Sequence, residues 1–177
     1  MLNVSTRSIL KRSGGQVPTS MFSQIPYVLK ALELIEKKDT ICDVGCGYGK
    51  YGVLIREYFP NTKILDAVEG FEGYLGPIHK IVYDKVIVDK VENLALCYDV
   101  FLLIDILEHF PMAEGIKMVR NLKGRKIIAT PSKWDPQSAE FGNELEIHKS
   151  LWGSDDLITN LNAKTIMKAP ESWVAIV

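Results

Sequence analysis

Residues 40–52 read TICDVGCGYGKYG and hold the pattern that decides the fold. The first five residues are mostly apolar or β-branched and predict a short strand. Gly45, Gly47 and Gly49 follow at alternate positions and predict a loop, and a helix is predicted over residues 50–59. A strand that enters a helix through a glycine loop is typical of sites where backbone N–H groups approach a ligand closely.

The rest of the chain repeats this alternation of apolar strands and amphipathic helices. Strands are predicted over residues 63–68, 85–91, 99–107 and 125–130, and helices over residues 23–38, 71–80 and 111–123, the last with Gly124 as its cap. A short helix capped by Ser154 then precedes a hairpin of residues 163–168 and 172–177. The order predicts an α/β fold: a doubly wound, Rossmann-like mixed sheet of seven strands, with helices on both faces and a C-terminal antiparallel hairpin.

Size and composition predict one domain over residues 23–177, preceded by a flexible basic arm over residues 1–22. The 177 residues are 47% hydrophobic and 24% charged, as in soluble globular proteins. The net charge of −1 makes nucleic acid an unlikely partner, and no apolar run is long enough to cross a membrane. Three cysteines without CxxC spacing fit a reducing compartment. We therefore expect a cytoplasmic monomer or homodimer.

The glycine loop admits two interpretations. Residues 47–52 fit the GxGxxG pattern, so a nicotinamide-dependent oxidoreductase that uses these glycines and Glu69 is one alternative. With Gly45 as the first glycine, however, Asp43 lies at the mouth of the strand. A carboxylate there favours a ligand that carries a positive charge over a pyrophosphate.

The sequence resembles the class I S-adenosylmethionine-dependent methyltransferases at several points in chain order. These are the loop Asp43-x-Gly45-x-Gly47-x-Gly49, the acidic Glu69 after the second strand, and residues 98–110, YDVFLLIDILEHF. The resemblance implies that the chain binds S-adenosyl-L-methionine, releases S-adenosyl-L-homocysteine and methylates an acceptor.

The resemblance also implies a set of cofactor-binding residues. They are Asp43, Gly45, Cys46, Gly47 and Gly49 for the methionine part, Glu69 and Gly70 for the ribose, Asp89 for the adenine, and Asp105 and Ile106 for the wall that faces the methyl group. Lys90 stands where the family usually has an Asp that accepts the adenine amino group, and an ammonium cannot accept a hydrogen bond. Asp89, Glu92, or backbone groups with an apolar wall are the expected substitutes.

The candidate catalytic residues are His109 and His148, because a proton acceptor with a pKa near neutrality suits an oxygen or nitrogen acceptor. His148 lies in residues 144–152, which resemble the Glu-x-x-His-x-Ser-x-Trp pattern of some small-molecule and sugar-directed members. The alternatives are structural: His109 packs beside the cofactor, and His148 bonds a nearby carboxylate. We expect His79 at the surface and a small acceptor with a hydroxyl, carboxyl or sugar-like group.

Other polar and aromatic residues complete the expected site. Asp105 is expected to be a site carboxylate, and Glu108 faces either the cofactor or solvent. Trp134, Phe141 and Trp152 form an aromatic platform for the acceptor or anchor the long loop over residues 131–150; anchoring is preferred for Trp152.

Two negative features of the sequence complete the expectations. There is no HExxH motif, no CxxC pair and no Asp-rich calcium loop, so we predict no metal. Lys90 and the short chain keep open a third interpretation, a catalytically silent methyltransferase-like subunit.

Overall fold

In the computed structural model, which describes residues 22–140 and 142–177, seven strands form one mixed sheet. They are β1 (Thr40–Val44), β2 (Ile64–Glu69), β3 (Lys85–Val88), β4 (Cys97–Ile104), β5 (Lys123–Pro131), β6 (Thr165–Lys168) and β7 (Ser172–Ile176). Their order is β3-β2-β1-β4-β5-β7-β6, with β1 to β5 parallel and β7 antiparallel to both its neighbours. The predicted fold class is confirmed.

Within the described residues, five α-helices and five 3-10 segments precede or connect the strands. The α-helices are α1 (Ile25–Glu33), α2 (Lys50–Tyr58), α3 (His79–Val82), α4 (Met112–Asn121) and α5 (Ser154–Leu161). The 3-10 segments are Phe22–Gln24, Glu72–Tyr74, Val91–Asn93, Leu107–His109 and Glu144–Glu146. Within the described ranges, none of these helices has the length and apolar character needed to cross a bilayer.

Strand β4 shows why the sheet is buried on both faces. Its last five residues are all buried, and alternate side chains point to opposite sides. Val100 and Leu102 pack with the residues of α1, whereas Phe101 and Leu103 pack with those of α4 and α5. A continuous apolar run is therefore needed in this central parallel strand.

Several predicted boundaries were wrong because local hydrogen bonds compete with the strand and helix patterns. The third strand ends at Val88, since residues 91–93 form a 3-10 turn. The fourth strand ends at Ile104, so Asp105 follows it rather than lying inside it. The first helix ends at Glu33, five residues before the predicted boundary.

Helix ends also differ from the predictions. The predicted helix over 71–80 is split into a 3-10 turn and α3. Gly153, and not Ser154, is the cap of α5, and its N–H donates to Asp156 Oδ2 at 2.9 Å. The expected basic arm lies outside the described residues, apart from Phe22.

Gly124 is not a helix cap but part of β5, where its φ is +151°. A Cβ at this position would overlap the carbonyl oxygen of Tyr98 on the neighbouring strand. The close approach coincides with a register shift between β4 and β5, which lies between Cys97 and Val100. Only glycine fits this contact without moving the backbone.

The substitution Gly124→Ala is expected to destabilise the protein by about 1–3 kcal/mol, because it forces a non-glycine residue into a strained conformation. Urea unfolding followed by circular dichroism measures the change. Gly76→Ala is the matched control, since a Cβ there meets no atom within 4 Å. Equal stability of the two variants would contradict the conclusion that only glycine fits at position 124.

Candidate functional site

A cavity of about 840 Å³ opens at the carboxyl ends of the parallel strands. This edge of the sheet includes the point where the strand order reverses, between β1 and β4. Nine of the ten expected cofactor-binding residues line the cavity, as do both candidate catalytic histidines. Gly49 is the expected residue that does not line it.

The glycine loop is held in left-handed backbone conformations. The φ angles are +67° at Gly45, +51° at Gly47 and +81° at Gly49. A Cβ on Gly45 would overlap the side chain of Ile106, whereas a Cβ on Gly47 would meet nothing within 4 Å. Gly47 therefore leaves space above its backbone, and Gly49 is instead the N-cap residue that precedes α2.

Glu69 clamps this loop from the end of β2. Its Oε2 accepts the N–H of Gly47 at 2.9 Å, and its Oε1 accepts the N–H of Phe71 at 2.8 Å. The side chain is buried, and burial raises the pKa of Glu69 against the opposing effect of these two N–H donors. Each carboxylate oxygen can accept a second hydrogen bond, so the clamp and a bound diol are compatible.

His79 supports the same loop from below, and the expectation that it lies at the surface was wrong. The side chain is 2% exposed. Nδ1 accepts the N–H of Gly76 at 3.0 Å, and Nε2 lies 2.8 Å from the carbonyl oxygen of Gly47, to which it donates. The turn before α3 folds the ring inward, and the sequence signal for this was the Gly76-Pro77 pair.

Asp43 is almost fully buried at the end of β1, with 2% exposure. Its Oδ2 accepts the hydroxyl of Tyr83 at 2.5 Å. Burial raises the pKa of Asp43 to about 7; the Tyr83 hydrogen bond opposes this, and the charge of Glu69 adds to it. The tyrosine was missed from the sequence because it lies 40 residues away.

The two cysteine thiols beside Asp43 do not lie in an environment that would make them reactive. Cys42 and Cys46 are buried and free, and burial is the main cause that raises the pKa of each thiol. They are packing residues, although Cys46 also lines the cavity.

The far end of the cavity is formed by the turn after β3. Asp89 Oδ1 accepts the N–H of Lys90 at 2.7 Å and the Asn93 amide at 2.8 Å. Lys90 and Glu92 are exposed at the rim, and Val91 is buried beside them. The carboxylate of Asp89 is thus oriented within the turn.

The wall on the opposite side begins at Asp105, directly after β4. This residue has a φ of +55°, and its N–H donates to the carbonyl of Ala129 at 2.8 Å. Its Oδ2 accepts the side-chain amide of Gln24 at 2.7 Å. Gln24 is fully buried and was not identified from the sequence, where nothing distinguishes it from a surface glutamine.

The side chains of Glu108, His109 and His148 lie together beside this wall. Glu108 is 2% exposed, and its Oε2 accepts the Thr130 hydroxyl at 3.1 Å. Burial raises the pKa of Glu108, and the charge of Asp105 raises it further. Glu108 therefore faces the cavity and not solvent.

The two candidate histidines are neighbours, with ring centroids 5.0 Å apart. Nδ1 of His109 lies 3.4 Å from the carbonyl of Ile147, and Nδ1 of His148 lies 2.5 Å from that of Asp135. Burial lowers the pKa of His109 to about 4, and His148 adds to this effect. His109 is consequently neutral near physiological pH, and His148 bonds a backbone carbonyl rather than a carboxylate.

The segment after β5 folds back over this wall. The N–H groups of Lys149 and Ser150 both donate to the carbonyl of Glu108, at 2.7 and 3.1 Å. Glu146 accepts the Tyr74 hydroxyl at 2.9 Å from across the cavity. The expected long loop therefore contacts both sides of the candidate site.

The aromatic residues of this segment divide between the core and the surface. Trp152 is fully buried and donates to the carbonyl of Leu107 at 3.2 Å and to Ser150 Oγ at 2.8 Å, so it anchors the segment. Trp134 is 51% exposed, and Phe141 lies outside the described residues.

Asp43→Asn is expected to change how stability depends on pH. Between the ordinary carboxyl pKa and about 7, folded Asp43 holds a proton that the unfolded chain releases. The free energy of unfolding of the native protein should therefore fall as pH rises across this window, by at most about 1.4 kcal/mol per pH unit from this residue.

Asp43→Asn removes this titrating carboxyl group, so the variant should gain stability relative to the native protein as pH rises toward 7. Urea unfolding of both proteins at matched pH values measures the difference and cancels other titrating groups. A constant difference across the window would contradict the raised pKa.

Comparison with known proteins identifies solved structures that share this fold. No protein-family model matches the sequence, and neither does any curated protein. Among solved structures, a SAM-dependent methyltransferase from Archaeoglobus fulgidus matches with a TM-score of 0.63 and 11% identity, covering 96% of this chain and 97% of that one.

Two O-methyltransferases also match. They are mitomycin 7-O-methyltransferase MmcR, with a TM-score of 0.61, and NcsB1 of neocarzinostatin biosynthesis, with a TM-score of 0.62. Each is 11% identical and is matched over 86% of this chain, which spans about half (53%) of its length. The likeness confirms the class I S-adenosylmethionine-dependent methyltransferase fold.

Proposed function

We propose that the protein transfers a methyl group from S-adenosyl-L-methionine to a small-molecule acceptor. The observation that carries this proposal is the clamp of Glu69 on the open glycine loop, next to the buried carboxylate of Asp43. The fold is consistent with it, since one similar structure, NcsB1, is a complex with S-adenosylmethionine and an aromatic hydroxy acid, 2-hydroxy-5-methyl naphthoic acid.

In this proposal, the methionine part of the cofactor binds at the glycine loop. Gly47 leaves space above its backbone, and Asp43 offers a negative charge in a site of low polarity. A sulfonium or ammonium group nearby would stabilise the ionised form of Asp43, whose pKa is otherwise raised by burial. A pyrophosphate would be repelled by the same carboxylate.

The nucleoside part binds along the ends of β2 and β3. Glu69 accepts both ribose hydroxyls with the acceptor sites that the backbone N–H groups leave open. Gly70 lies between the Leu145 side chain and the turn that holds Asp89, so a side chain there would narrow the cavity. Asp89 or Glu92 takes the adenine amino group in place of the Asp that Lys90 replaces.

Asp105 and Ile106 would then form the wall that faces the methyl group. Methyl transfer from a sulfonium is an in-line displacement, and the cofactor carries both the reactive carbon and its leaving group. The protein must mainly hold the acceptor oxygen in line with the carbon and sulphur atoms. The cavity volume of about 840 Å³ is within the range of sites for small ligands.

The acceptor is proposed to bind against the pair of histidines. His148 would take the proton of an acceptor hydroxyl, and neutral His109 would position the acceptor by packing beside it. The low pKa of about 4 makes His109 a poor proton acceptor, so the two roles differ.

Binding of S-adenosyl-L-homocysteine, measured by isothermal titration calorimetry, tests the cofactor. Glu69→Gln should weaken binding by about tenfold or more, because it replaces an acceptor of charge-assisted hydrogen bonds by an amide. Glu72→Gln, an exposed carboxylate three residues away, is the control and should bind as the native protein does.

Absence of binding heat with the native protein would overturn the proposal. Greater thermal stabilisation by NADH than by S-adenosyl-L-homocysteine would instead favour the oxidoreductase that the GxGxxG pattern allows.

Transfer of a labelled methyl group into a metabolite extract tests catalysis. His148→Gln should lower the rate by about 100-fold or more, the usual contribution of a positioned base. Its affinity for S-adenosyl-L-homocysteine should be unchanged, because the ring lies on the acceptor side. Transfer that is absent despite tight cofactor binding would indicate the silent subunit.

A further inference from the structure

We propose that Glu108, His109 and His148 together bind a divalent transition-metal ion of the zinc type on the acceptor side of the cavity. One carboxylate oxygen and one nitrogen from each ring lie within 4.8 Å of one another. The inference refines the role of the two histidines proposed above and rests on that acceptor site. The linear sequence did not indicate it, since His148 lies 39 residues from His109.

The spacing of the three ligand atoms is close to that of a metal site. Nitrogen and oxygen ligands lie about 2.0–2.2 Å from zinc, so ligand atoms around one ion are about 3–4 Å apart. The observed upper limit of 4.8 Å is slightly wider. Small side-chain rotations would close this difference, and His148 is free of the tight packing that would prevent them because it is only half-buried.

Each of the two rings has one nitrogen beside a backbone carbonyl. Nδ1 of His148 lies 2.5 Å from the carbonyl of Asp135, and Nδ1 of His109 lies 3.4 Å from that of Ile147. A ring nitrogen that faces a carbonyl carries the proton, so the other nitrogen has a lone pair. Metal-binding histidines use this arrangement, in which a backbone carbonyl fixes the tautomer.

Glu108 supplies an independent observation. Its Oε2 accepts the Thr130 hydroxyl, but its buried Oε1 has no hydrogen-bond partner among the described residues. No lysine or arginine in the described part of the chain forms an ion pair with it. A buried carboxylate oxygen requires a cation or a donor to offset its desolvation, and a metal ion would provide this charge.

The donor set determines the class of ion. Two imidazoles and one carboxylate favour zinc and related transition metals over magnesium and calcium, which prefer oxygen ligands. Three protein ligands leave a coordination position open toward the cavity. An acceptor hydroxyl bound there would have a lowered pKa and would lose its proton to solvent.

The methyl transfer then balances without a further reactant. The acceptor oxygen forms a bond to the methyl carbon, the carbon–sulphur bond breaks, and the sulphur keeps the electron pair. In the loaded protein His148 holds the ion and does not take the proton itself. The metal-bound arrangement depends on an ion that a chelator removes, whereas the metal-free arrangement does not. Chelation therefore distinguishes the two.

Cobalt(II) is a suitable probe, because its visible absorption reports coordination by nitrogen and oxygen. Titration into tag-free, metal-depleted full-length protein should give one equivalent of bound ion with a new absorption band. Glu108→Gln and His148→Ala should each weaken binding by about tenfold or more, as ligand loss does. Glu114→Gln, an exposed carboxylate of the same cavity, is the matched control and should bind cobalt as the native protein does.

Circular dichroism shows whether each variant is folded. If Glu108→Gln, which changes a buried residue, does not fold, His148→Ala still tests the inference. The inference is overturned if no absorption band forms, or if the folded His148→Ala variant and the native protein bind cobalt equally. S-adenosyl-L-homocysteine calorimetry on the same samples separates the two proposals. Cofactor binding without cobalt binding would refute only the metal site, and cobalt binding without cofactor binding would refute only the proposed methyl transfer.

Discussion

The structure of the site depends on how the backbone of Gly47 is held. A buried carboxylate oxygen of Glu69 accepts its N–H, while the ring of His79 donates to its carbonyl. Both backbone groups of one left-handed residue are thus satisfied by side chains from different elements. Further backbone bonds from Gly45 and Cys46 to the carbonyl of Val68 hold the start of the loop, and the space above Gly47 stays open toward the cavity.

The same edge of the sheet concentrates acidic side chains. Asp43, Glu69 and Glu108 are all buried there, and burial raises the pKa of each. In the described residues these carboxylates are bonded mainly to neutral donors, namely backbone N–H groups and hydroxyls. Such a site is electrostatically suited to cations, and the sulfonium and metal proposals both draw on this property.

The sequence predicted the fold and placed nine of the ten expected cofactor-binding residues on the cavity, because both follow from local patterns. Continuous apolar strands, alternate glycines and acidic residues at strand ends are visible within short windows, and parallel strands bring their carboxyl ends to one edge. The errors arose where partners are distant in sequence. Tyr83 reaches Asp43, Gln24 reaches Asp105, and neither contact has a linear signature. Gly124 was misassigned because a close strand contact and a helix cap require the same residue.

The contact between Gln24 and Asp105 links the start of α1 to the wall of the cavity. Fraying of the first helical turn would remove one of the donors to this carboxylate. For a ligand that binds next to the oriented carboxylate, local unfolding of this turn and ligand affinity would be thermodynamically coupled, and the coupling would be reciprocal. A ligand that favours the oriented carboxylate would slow amide hydrogen exchange in α1, far from any group that it touches.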